Sequence, residues 1–201
     1  MYIFPLLLLI IILLIIASTL YVVRQQTVVI IERFGKYQAT VSSGIHIRMP
    51  FGIDRIAARI QLRMLQSELI VETKTNDNVF VTLNIATQYR VNEQNVMDAY
   101  YKLMRPEEQI KSYIEDALRS SVPKLTLDEL FEKKDEIALE VQKQVAEEMS
   151  TYGYIIVKTL ITKVEPDAEV KQSMNEINAA QRKRVAAQEL ANADKIKIVT
   201  A

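Results

Sequence analysis

The sequence predicts an α+β protein carried on a single N-terminal transmembrane helix and continued by a long C-terminal helix. Three observations predict it. Residues Met1 to Val23 are apolar and uncharged. Residues 27–91 read as successive strands, β-branched at 27–34 and alternating with period two from Ile45 on, and residues 93–152 repeat with the period of helices before a strand returns at 155–164. From Asp167 to Ala201 neither Gly nor Pro interrupts the chain.

As a helix, Met1–Val23 would measure roughly 30 Å or a little more, enough for the hydrocarbon core of a bilayer. A buried core helix would show a polar face, and this run has none. A cleaved signal peptide would want a basic n-region, a shorter apolar region and a small-x-small cleavage site. Nothing basic precedes this run, and Ala17-Ser18-Thr19 is a poor cleavage match. Phe4, Leu8, Ile12, Ile16 and Leu20 are the expected lipid contacts on this anchor. Pro5 falls in the first turn, where a missing N–H does no harm. The tether Arg24-Gln25-Gln26 reaches only about 14 Å when extended, which presses the body against the membrane. Arg24, Arg33 and Lys36 follow the anchor and no side-chain charge precedes it, so the positive-inside rule puts the body in the cytoplasm.

Thr27–Phe34 is β-branched and reads as a strand. Gly35-Lys36-Tyr37 makes a turn, and a short strand covers Gln38–Val41. Ser42-Ser43-Gly44 is a turn before alternating Ile45–Met49. Pro50-Phe51-Gly52-Ile53 is a turn with two large apolar side chains. Either Phe51 and Ile53 fold back into a small core, or the loop dips into the lipid interface. Ile56–Met64 alternates apolar residues with Arg55, Arg59, Gln61 and Arg63, the mark of a half-buried strand. Leu69–Thr75 is the next strand. Asn76-Asp77-Asn78 is a hairpin-type turn. Val79–Val91 has the strongest alternation in the chain.

Asn92 is placed to cap a short helix over 93–101. Pro106 at a first helical position, followed by Glu107 and Glu108, starts another whose inner stripe is Ile110, Tyr113, Ile114, Ala117, Leu118 and Ser121. Pro123 stops it. Thr126-Leu127-Asp128-Glu129 fits a capping box. It opens one helix expected to bury Leu127, Leu130, Phe131, Ile137, Val141, Val145 and Met149 before Gly153. The last helix follows Pro166-Asp167 with a thin stripe of small apolar residues, suited to an alanine-rich coiled coil of identical chains. Met174, Ile177, Ala180, Arg182, Arg184, Ala187 and Ala191 are its expected oligomer contacts. The basic triplet Arg182-Lys183-Arg184 is either a solvated face or a contact to neighbours or anionic lipid. No terminator closes the helix before Ala201, which reads as a helix that continues. The expected domains are an anchor at 1–23, a body at 24–165 divided at 75/76, and the start of a coiled coil at 166–201.

Composition excludes several functions. There are 25 basic and 25 acidic residues, so no basic field exists to hold nucleic acid. The absence of cysteine excludes disulfides, thiolate metal sites and palmitoylation. The four glycines are too scattered for a phosphate-cradling loop, and no cofactor motif occurs. The single histidine, His46, has no partner at metal-ligand spacing and reads as structural or solvated. No nucleophile elbow or zinc-protease signature appears. The chain is therefore expected not to be an enzyme, with a membrane-anchored hydrolase the third-ranked class.

The segments Glu32–Tyr37, Ser43–Ile45 and Met49–Ile56 together resemble the opening of the SPFH (Band 7) domain of stomatins, prohibitins, flotillins and hypersensitive-induced-response proteins. Thr75–Val79, Leu125–Leu130, Gly153, Met174-Asn175 and Gln181–Arg184 extend the resemblance over nearly the whole chain. The resemblance implies a membrane scaffold that forms a large homo-oligomeric ring or cage and organises a lipid microdomain. It also implies, as the second reading, a regulatory adaptor of a membrane protease or channel. Lacking the cysteines that stomatins use for lipidation, this chain would rest its attachment on the anchor and its loops.

Overall fold

The computed structural model describes Phe4, the backbone of residues 19–199 and the side chains of that stretch as far as Asn192. The expected anchor contacts Leu8, Ile12 and Ile16 lie outside the described residues, and Phe4 is exposed. Among the described residues no helix is long and apolar enough to cross a membrane.

Among the described residues, eight strands and five α-helices follow in order. The strands of the first part are β1 (Leu20–Val23), β2 (Thr27–Arg33), β3 (Lys36–Val41), β4 (Gly44–Ile47) and β5 (Asp54–Gln61). Then come β6 (Leu65–Lys74) and β7 (Phe80–Val91). The helices are α1 (Val96–Tyr101), α2 (Pro106–Ser121), α3 (Leu127–Glu132) and α4 (Lys134–Ser150). β8 (Tyr154–Pro166) and α5 (Ala168–Val199) complete the chain. The α+β class is as the sequence predicts.

One three-stranded antiparallel sheet has the order β6-β7-β8, a second has β3-β2-β5, and β1 and β4 form a separate ribbon. Helices α2 and α4 cover one face of the first sheet, whose Val71, Leu83 and Ile85 meet Ile110, Ile114, Leu118, Leu130 and Met149 in the main core. Strand β2 explains why its sequence shows no alternation. Val28 and Ile30 point into that main core, while Val29 and Ile31 point the other way into a small core with Val23, Tyr21, Val41 and Ile56. A strand covered on both faces has no reason to carry polar residues.

Several expectations are corrected. Leu20 does not belong to a membrane helix. Leu20–Val23 is a strand in register with Gly44–Ile47, because Tyr21, Val22 and Val23 favour an extended backbone and β4 supplies the ladder. The expected anchor therefore cannot extend through Val23. The first hairpin turns at Phe34-Gly35, one residue before the expected turn. β5 ends at Gln61 and β6 starts at Leu65, where its cross-strand pairing with β7 begins. Strand pairing thus divides the body at 62–64, not at 75. The helix expected from Leu127 to Met149 breaks at Lys133 (φ −101°, ψ 13°), and this turn leaves Phe131 exposed rather than buried. Met174, an expected oligomer contact, packs against the chain's own core beside Val170.

Tyrosines join the two parts. Tyr101 on α1 donates a 2.6 Å hydrogen bond to Glu32 at the end of β2. Burial and the Glu32 carboxylate push its phenol up to about 12. Tyr37 meets the Tyr101 ring edge-on at 6.2 Å.

Candidate membrane-facing surface

The ribbon of β1 and β4 has two unlike faces. Its register puts Leu20 opposite Ile47 and Val22 opposite Ile45. All four point to one side, and they are 51 to 74% exposed. The other side carries Val23, buried in the small core, and Tyr21, whose ring stands 5.9 Å from that of His46. His46 Nε2 also shares a 2.9 Å hydrogen bond with the Ser42 carbonyl. The histidine thus has a structural setting, and among the described residues no cluster of His, Cys, Asp or Glu could hold a metal.

Beyond Ile47 the apolar surface continues. Arg48 N–H donates to the Thr19 carbonyl at 2.9 Å, tying the end of β4 to the residue that precedes β1. The turn 50–53 follows, closed by a 3.5 Å bond from Ile53 N–H to the Pro50 carbonyl. Its tip is Phe51, 82% exposed, with Ile53 half-buried behind it. Phe51 therefore does not fold back into the small core.

Phe51 has a twin. The β2–β3 hairpin turns on Phe34, 84% exposed. Both turns pair a Phe with a Gly at positive φ: Phe34 at 51° and Gly35 at 77°, Phe51 at 62° and Gly52 at 75°. Two consecutive positive φ values are the mark of a type I′ turn, which ordinarily takes Asn-Gly or Asp-Gly. A bulky aromatic there costs roughly 1–2 kcal/mol of backbone strain. The chain accepts that cost twice, each time to hold a ring out in solvent.

Asp54 links the two turns. Its carboxylate accepts from Arg33 Nε at 2.8 Å and Arg33 Nη2 at 3.3 Å, beside Phe34, and from Met49 N–H at 2.9 Å, at the root of the Phe51 turn. The Arg33 guanidinium and the Met49 amide hold this carboxyl below its usual range, against the opposing effect of burial. Thr19, the β4 end, Phe51 and Phe34 therefore lie at one end of the body.

The expected site residues divide. Phe51 and Ile53 belong to this end, and Leu20 joins it as a strand residue. Ile177, Ala180, Arg182, Arg184, Ala187 and Ala191 lie exposed along α5. Sequence reasoning missed Phe34, Val22, Ile45 and Ile47. The signal was the repeated dipeptide Phe-Gly at 34–35 and 51–52, together with the short alternations Leu20-x-Val22 and Ile45-x-Ile47.

Residues 21–195 match the family described as SPFH domain / Band 7. The chain belongs to the SPFH/Band 7 family. It is 40% identical over 167 residues to hypersensitive-induced response protein 4 of Arabidopsis thaliana, a match covering 83% of this chain and 57% of that protein. It is 26% identical over 160 residues to an uncharacterized protein of Methanothermobacter thermautotrophicus, covering 79% of this chain and 49% of the relative. An uncharacterized protein of Mycobacterium tuberculosis, Rv1488, is 27% identical over 160 residues, with 77% and 40% covered. The chain spans about half the length of the curated relatives it matches.

The motifs that carry the SPFH resemblance meet in pairs. Glu32–Tyr37 and Met49–Ile56 join through Arg33 and Asp54. Thr75–Val79 joins Leu125–Leu130 because Asp77 accepts from Leu127 N–H at 3.2 Å and Asn76 N–H donates to the Leu125 carbonyl at 2.8 Å. The β6–β7 turn thus helps cap α3, where Thr126 and Glu129 already form a capping box. Thr75 and the Leu127 amide hold the Asp77 carboxyl below its usual range against burial. Gly153 has φ +77°, and a side chain there would meet the Asn95 carbonyl. Its own carbonyl receives Asn92 N–H at 2.8 Å.

Proposed function

We propose that this SPFH protein is a homo-oligomeric membrane scaffold that organises a patch of lipid and protein. Family membership supports membrane association and a scaffold-type, non-enzymatic role. The observation that carries the finer reading is the single apolar end formed by Leu20, Val22, Ile45, Ile47, Phe34 and Phe51. In this reading Met1–Thr19 is the single-pass anchor. As a helix it would still measure about 28 Å, close to the hydrocarbon thickness. The body lies against the cytoplasmic face with its two Phe turns in the interface, and α5 associates with copies of itself in a coiled coil.

Magnitudes divide the work between these parts. Burying one Phe contributes about 2 kcal/mol. Two such tips alone would give roughly millimolar binding. They therefore seat and orient a chain that is already anchored. The mechanism is positional: anchors held side by side by a common assembly surround one area of bilayer, while the seated bodies fix its boundary.

Imaging of the detergent-extracted complex tests the reading. Rings or cages of many copies are expected, and a uniform monomer would overturn it. Stoichiometric co-purification of a membrane protease or channel would move the reading to that of a regulatory adaptor.

A further inference from the structure

We propose that the apolar end of the body docks selectively on anionic phospholipid, using basic side chains set around the two Phe-Gly turns. The inference rests on the membrane-facing reading above and names the lipid class it prefers. The chain is neutral as a whole, but its charge is divided. Residues 19–64 hold seven Lys and Arg against two acids, Glu32 and Asp54. With 25 charges of each sign in all and none in residues 1–18, residues 65–201 carry the compensating acidic excess of five.

The two acids at the apolar end are already engaged. Asp54 takes Arg33, and Glu32, opposite Arg55 in the β2–β5 register but in no ion pair with it, accepts from Tyr101. Lys36 stands two residues beyond Phe34, and Arg55 follows Asp54 at the start of β5, an edge strand of its sheet. Both are exposed, and among the described residues neither is in an ion pair. Once the Phe rings enter the interface, residues this close to them come within a Debye length of about 8–10 Å of the headgroups. A basic side chain so placed enriches anionic lipid about fivefold. The arrangement of cations around apolar tips, at the end where residue 19 enters the body, matches a plane of negative headgroups over hydrocarbon.

The protein contains no tryptophan, so Phe34→Trp and Phe51→Trp each give a single reporter in the full chain. The chains are reconstituted in vesicles of phosphatidylcholine and phosphatidylserine at fixed composition, with brominated acyl chains on one lipid or the other. Quenching by brominated phosphatidylserine is expected to exceed that by brominated phosphatidylcholine at equal mole fraction, with an effective local enrichment of about fivefold per engaged cation. Lys36→Gln with Arg55→Gln should bring the ratio toward one, while Lys36→Arg with Arg55→Lys should keep it. A ratio of one in the chain without charge changes would overturn the lipid preference and leave membrane contact standing. No quenching by either lipid would overturn both. If the Gln pair shrinks the oligomer and leaves the lipid ratio untouched, the cations serve a neighbouring copy and the proposal fails.

Discussion

Leu83 on β7 and Ile45 on β4 occupy strands with the same apolar alternation, yet Leu83 has no exposure and Ile45 is 74% exposed. The difference is what lies opposite. β7 is the central strand of its sheet, with α2 and α4 on its apolar face. The β1–β4 ribbon has the small core on one side, while on the other Leu20, Val22, Ile45 and Ile47 stay exposed among the described residues. In the helix-backed part, alternation builds a core. In the ribbon, the same alternation leaves an exposed apolar face. Polar residues differ in parallel. Asp77 and Thr126 satisfy the start of a helix, whereas Asp54 fixes two exposed turns.

The sharpest way to break this comparison is to make one kind of truncation in both parts. Leu130→Ala removes a fully buried side chain and should cost about 2–5 kcal/mol of unfolding free energy. Gly153→Ala should cost about 3 kcal/mol or more, because it adds left-handed strain to a clash with the Asn95 backbone. Ile45→Ala should cost less than about 0.5 kcal/mol, since it leaves a surface. Denaturant unfolding in detergent measures all three. A loss at Ile45 as large as that at Leu130 would mean that the chain covers its own ribbon.

The next effect is smaller and separates the two uses of polar residues. Thr126→Ala should cost about 1 kcal/mol through loss of the α3 N-cap, with no change in membrane contact. The order would reverse at the turns. Phe34→Gly and Phe51→Gly relieve roughly 1–2 kcal/mol of strain each and lose part of it to glycine's extra unfolded-state entropy. Stability should therefore hold or rise by up to about 1 kcal/mol, while bilayer contact, read by quenching at the remaining turn, falls.

Much of the helix-backed part is legible in the sequence. The alternation of β7, the Pro106 start, the Thr126 capping box and the Gly153 exit each express a local rule that the fold obeys. What escaped is non-local. β2 looks like one featureless apolar run because two different cores claim its two faces. β1 hides inside an apolar stretch that hydropathy alone assigns to the membrane, since its partner β4 lies more than twenty residues away. Phe34 reads as the last residue of a strand until the positive φ values of both Phe-Gly pairs are known. The link through Asp54 depends on a side chain that alternation treats as a mere strand end.

The smallest effect concerns acid, and its sign follows from Asp54. Its folded pKa is depressed, first by the Arg33 hydrogen bond and then by the Met49 amide. A carboxyl of this kind contributes stability that is present above its unfolded pKa of about 4 and is lost as pH falls through the lower folded value. The link between the two turns should therefore be intact at neutral and mildly acidic pH. It should loosen only in strong acid, and only modestly, because Arg33 is partly exposed and its pairing is screened by solvent. The Met49 amide reports this directly, since it donates to the same carboxylate. Its chemical shift should stay constant from neutral pH down to about 4 and move below that. Asp54→Asn should produce that loosened state at neutral pH while leaving the main core unchanged. A Met49 amide that already titrates near pH 6 would show that another group, and not Asp54, sets the two turns.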